Sequence, residues 1–97
     1  MANVINTFMV PGTTQVITVA TSSTACTNAF GARTRYLRIA TGSVGVWYKI
    51  AATPTAAITD TYLPANSVEI IRVAPSQKIA VIQPTTPAGT FSLTELK

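Results

Sequence analysis

Apolar side chains recur at alternate positions through most of this chain, the period of a β-strand, and no stretch shows a convincing helical period. Residues 13–20 set Val16, Thr18 and Ala20 against Gln15, Ile17 and Val19. Apolar residues on both faces predict a buried strand. Residues 34–40 place Arg35, Leu37 and Ile39 on one face and Tyr36, Arg38 and Ala40 on the other. Residues 44–50 turn Val44, Val46, Tyr48 and Ile50 to the core, with Gly45, Trp47 and Lys49 outside. The short Thr41-Gly42-Ser43 connection predicts that these two strands form a hairpin.

A second pair is expected from residues 68–73 and 78–82. Val68, Ile70 and Arg72 alternate with Glu69, Ile71 and Val73, and Ile79 and Val81 share one face. Ala74-Pro75-Ser76-Gln77 reads as the turn that makes them antiparallel partners. Residues 90–96 close the chain as a strand with Phe91 and Leu93 inward. Residues 21–32 read as an irregular loop with Phe30 tucked back toward the core. Residues 51–61, rich in Ala and Thr and broken by Pro54, read as a loop with room for a single helical turn. Pro11-Gly12 is a turn signal, so residues 1–12 form an N-terminal arm or first strand and residues 13–97 a single β domain. The fold class is all-β: a small antiparallel β-sandwich or β-barrel of six to seven short strands.

Charged residues make up 10% of the 97-residue chain while hydrophobic residues make up 47%. An ordinary soluble domain carries about 25% charged residues. A domain this small and this poor in charge is expected to bury part of its surface against other protein copies. Seven basic and three acidic residues give a net charge of +4, which favours an acidic partner surface or nucleic acid. The basic residues do not form a run: Arg33, Arg35 and Arg38 lie close together while Lys49, Arg72, Lys78 and Lys97 are scattered. Cys26 is the single cysteine, read as a buried or half-buried thiol that needs no oxidising compartment. No apolar run reaches the roughly 18 residues of a membrane helix, so the product is expected to remain in the cytoplasm where it is made unless it leaves inside an assembly.

The residues for catalysis are sparse. There is no histidine, which removes Ser-His and Cys-His nucleophile systems and most zinc sites. Asp60, Glu69 and Glu95 are expected at the surface rather than paired as a catalytic dyad. Gly42-Ser43-Val44-Gly45 lies between strands and does not match a phosphate loop. An enzyme is not expected, and neither is a cofactor or metal. Two binding constellations remain open. Arg33, Arg35, Tyr36, Arg38, Trp47, Tyr48 and Lys49 could line a face that stacks bases and meets phosphates, though the alternation divides Trp47 from Tyr48. Trp47 and Tyr62 could stack on a sugar ring.

Four segments carry a resemblance: Arg35-Tyr36-Leu37-Arg38-Ile39, Val46-Trp47-Tyr48-Lys49-Ile50, Tyr62-Leu63-Pro64-Ala65-Asn66-Ser67-Val68-Glu69 and Gly89-Thr90-Phe91-Ser92-Leu93-Thr94-Glu95-Leu96. In this order the chain resembles small virion proteins of tailed bacteriophages over residues 33–96; residues 1–29 find no counterpart. The resemblance implies a capsid decoration, or cement, protein: an all-β homotrimer docking on the outside of the major capsid protein shell, in the virion, with no small-molecule substrate and no membrane. The expected contacts are the arm residues Val4, Ile5, Phe8 and Met9, with Arg33, Arg35, Trp47 and Lys49 beside them. The alternatives are a head-fibre base or tail structural protein and, outside virions, a single-stranded nucleic-acid-binding β-barrel.

Overall fold

A computed structural model describes residues 10–85 and 89–96 of the chain. Eight strands follow one another: β1 (Pro11–Thr18), β2 (Thr24–Ala25), β3 (Tyr36–Thr41), β4 (Val46–Ala51), β5 (Thr61–Leu63), β6 (Val68–Arg72), β7 (Lys78–Ile82) and β8 (Thr90–Leu96). They build two antiparallel four-stranded sheets, in the orders β1-β8-β3-β6 and β2-β7-β4-β5. The all-β sandwich is as the alternation predicts. The count is higher than six or seven because β2 lies within the stretch read as loop and β5 begins at the end of the Ala/Thr-rich crossing.

The pairing is ordered from the outside in. β1 pairs with β8, β2 with β7, β3 with β6 and β4 with β5. One long two-stranded ribbon, with the 52–60 loop at its tip, is thus rolled on itself, and the β3·β8 and β4·β7 ladders close the two sheets. This is the strand order of a jelly roll.

The core lies between the sheets. Leu37, Ile39, Phe91 and Leu93 from one layer meet Val46, Leu63, Ile79 and Val81 from the other, all at 0–1% exposure. Tyr48, Ile50 and Ile71 close its margins. Phe30 and Cys26 are buried from the loop side, as expected.

Both predicted hairpins are corrected. β3 and β4 lie in different sheets, and so do β6 and β7. An alternating strand presents the same pattern to a core whether its successor lies beside it or across from it, so short connections decided the sequence reading wrongly. At residues 42–45 the backbone is held by other segments: Gly42 donates to Thr90 O (3.2 Å) and accepts from Asn66 N (2.8 Å). At residues 74–77 Ser76 N donates to Phe30 O (3.0 Å) and Phe30 N to Gln77 O (2.8 Å), which joins that turn to the loop after β2. Ser76, in the second of these corners, and Asn66, in the connection between β5 and β6, take the left-handed conformation (φ 67° and 55°).

Two further expectations change. Pro11-Gly12 is part of β1 rather than a turn, and the register with β8 shifts between Pro11 and Thr14, a bulge in an edge strand where proline is tolerated. β1 is not buried on both faces: Ile17 is 3% exposed but Val16 is 63% exposed. Glu95 is also not a surface carboxylate. At 5% exposure it accepts from Gly31 N (2.9 Å) and from the Thr34 hydroxyl, fastening the loop that leads into β3 to the last strand.

Candidate interaction surfaces

Few charges and a complete inner core leave the outward-facing rows of the two sheets as the places where this chain can meet something else. In the first sheet, residues opposite one another across the ladders face the same side. Its outer face carries the rows Thr14–Thr94–Arg38–Ile70 and Val16–Ser92–Ala40–Val68. Val16 and Val68, 63% and 52% exposed, stand at the two edges with small residues between them.

The second sheet has the row Ile82–Trp47–Tyr62. The Trp47 and Tyr62 rings lie against each other, centroids 4.6 Å apart and tilted by 49°. Tyr62 remains 47% exposed while Trp47 is half-buried. The neighbouring row is Ala25–Ala80–Lys49, of which Ala25 and Lys49 are exposed, and the 52–60 loop follows directly on β4. Ala56 of that loop is buried and donates its N–H to Ser23 Oγ (2.8 Å), and the outward Ala80 is fully buried. Ile58 at the loop's crest is 60% exposed. The loop itself is shaped by Asp60, whose carboxylate accepts from Ala57 N (2.8 Å).

Gly45 makes the aromatic row possible. It sits two residues before Trp47, on the same outward side of the strand, and the Tyr62 ring lies over it. Any side chain there would occupy the space of that ring.

Facing inward on the same strand, Tyr48 has its phenol pKa raised, first by burial and then by the nearby negative charge of Glu69. Raising the folded-state pKa above the ordinary value of about 10 makes the phenolate harder to form in the fold than in the unfolded chain. The contribution of Tyr48 to stability is therefore expected to be full below pH 10 and to be lost as the pH climbs past it. Tyr48→Phe should flatten that alkaline loss in urea titrations; an unchanged slope would remove the assignment.

The expected contact residues divide as follows. Val4, Ile5, Phe8 and Met9 lie outside the described residues. Arg33 and Arg35 are exposed in the loop leading into β3, at one end of the first sheet. Trp47 and Lys49 are on the outer face of the second sheet. The proposed base-stacking set is not gathered on one surface: Tyr36 and Arg38 face out from one sheet, Trp47 and Lys49 from the other, and Tyr48 faces in. The Trp47–Tyr62 pair, by contrast, is brought together.

Sequence reasoning missed Val16, Val68 and Ile58 as exposed apolar residues. The signal for Val68 was present in its alternation with the core-facing Ile71 and Val73. Among the described residues, no three Cys, Asp or Glu side chains come together where they could hold a metal ion. Comparison of the chain with protein-family models, curated proteins and solved structures finds no match in any of the three.

Proposed function

We propose that this chain is a non-catalytic virion subunit, a decoration or cement protein that docks on the outside of a shell of major capsid protein and stabilises it. The observation that carries this reading is the Trp47–Tyr62 pair on an outward sheet face, with Tyr62 47% exposed and Ile58 60% exposed. Tyrosine and tryptophan are the residues that most often anchor protein interfaces, and a domain with so few charges cannot screen them with ionic neighbours. Lys49 stands on the same face and suits an acidic shell surface. The jelly-roll order, which viral capsid domains and lectins both use, adds support by analogy of fold alone. The resemblance over residues 33–96 supplies the partner.

Co-sedimentation with empty shells of the major capsid protein from the same virus tests the proposal. The chain should pellet with the shells at raised salt, and both Tyr62→Ser and deletion of residues 1–9 should lower the bound fraction at least tenfold. A chain that stays in the supernatant overturns it. Because the rings are gathered on one face, a sugar-binding reading is the second candidate; it requires Trp47 fluorescence to respond to glycans. Retention on single-stranded DNA that falls steeply with salt and with Arg35→Ala would instead favour a nucleic-acid binder.

A further inference from the structure

Two sheets of four strands have four edges, and an unprotected edge is a template for another strand. Three of the four are managed. β2 and β5 are only two and three residues long. β6 carries Glu69 and Arg72. β1 is different: eight residues long, Pro-Gly-Thr-Thr-Gln-Val-Ile-Thr, without a charge. Its proline and bulge guard only the first turn of the strand, before Thr14.

The ladder fixes which backbone groups of β1 are free. Val19 N donates to Gly89 O (3.1 Å), in the register that pairs Ile17 with Phe91 and Gln15 with Leu93. Hydrogen-bonded positions alternate along an antiparallel strand, so Gln15, Ile17 and Val19 spend their N–H and C=O groups on the β8 side. Those of Thr14, Val16 and Thr18 point to the open edge. Among the described residues no backbone group pairs with them. The core-facing Gln15 side chain is occupied with the Asn28 backbone, donating to its C=O and accepting from its N–H at 3.0 Å each, and so holds the loop after β2 on the inner side.

We infer that β1 is a self-association edge, and that its occupant is β1 of a second copy, antiparallel about a two-fold axis that passes midway between the two Val16 residues. The three free positions are self-complementary around that axis. Val16 meets Val16 of the other copy and Thr14 meets Thr18, each pair exchanging both bonds at a Cα separation of about 5.5 Å. A strand paired with itself must face its own charges, and only a neutral strand does this without repulsion. Val16, 63% exposed in a single copy, then packs against its twin on the outer face, and the two four-stranded sheets become one continuous sheet. The symmetry is two-fold, in place of the three-fold that the bacteriophage resemblance implies. The inference does not rest on the proposed capsid role.

Sedimentation equilibrium and amide exchange on the full chain test it together. The expected result is a dimer in which Thr14, Val16 and Thr18 amides are as protected as those of Gln15 and Ile17, with protection lost on dilution. Val16→Lys sets two ammonium groups opposite each other and should weaken the dimer at least tenfold. It should also restore fast exchange at those three amides alone, while Val68→Lys, on the other edge of the same sheet, leaves both unchanged. A monomer at all concentrations overturns the inference. So does any dimer or trimer in which the Thr14, Val16 and Thr18 amides still exchange freely.

Discussion

Glu95→Ala is expected to lower the stability of this domain by about 2 kcal/mol, since it takes the acceptor from one buried and one part-buried donor, and a buried donor left without an acceptor costs roughly 1–3 kcal/mol. The donors are Gly31 N and the Thr34 hydroxyl, the latter on a fully buried residue. A domain of this length holds only about 5–15 kcal/mol in total, so the loss is a large share. The effect should be local in origin and global in consequence, because the loop that these bonds fasten also delivers Phe30 and Cys26 to the core. Glu95→Gln keeps an acceptor in place and should cost distinctly less. Urea unfolding of both variants gives the comparison. An alanine variant within about 0.5 kcal/mol of the parent would mean that water takes over both donors.

Gly45→Ala is expected to cost about 1–3 kcal/mol, the usual penalty for forcing atoms into a filled space. A Cβ at this position would lie 2.8 Å from Tyr62 Cζ and 2.9 Å from the Leu63 carbonyl oxygen. The tyrosine ring is half-exposed and can swing away; the carbonyl belongs to the paired strand β5 and cannot move without disturbing that ladder. Two consequences follow. Trp47 fluorescence should change, because its ring partner is displaced. Adding Tyr62→Ala should recover only part of the loss, and complete recovery would show that the carbonyl is no obstacle. Since Gly45 O also accepts from the buried Gln83 side chain (2.8 Å), hydrogen exchange around β7 should rise as well.

Much of the fold could be read from alternation. Leu37, Ile39, Val46, Ile79, Phe91 and Leu93 announce their inward faces by period alone, and all are fully buried. Strand partnership could not be read. A jelly roll pairs first with last, and its connections cross between layers, so Thr41-Gly42-Ser43 and Ala74-Pro75-Ser76-Gln77 mimic hairpin turns while joining opposite sheets. The short strands β2 and β5 lack enough residues to show a period. Glu95 was misplaced because a carboxylate reads as exposed unless its donors are known, and these come from more than sixty residues earlier in the chain. The outward position of Trp47 was legible, but its contact with Tyr62 required the β4·β5 register. Exposure of Val16 was hidden by a strand with apolar residues on both faces, which looks the same at an edge as in a sheet centre.

The claim on which the functional account depends is that the outward face of the β2-β7-β4-β5 sheet is made to be covered by protein. Electron cryomicroscopy of shells incubated with the chain tests it most directly. The account predicts density for an eight-stranded sandwich on the shell exterior, with Trp47 and Tyr62 turned toward the capsid surface. Bare shells, or bound copies that present Trp47 and Tyr62 to solvent, would contradict it.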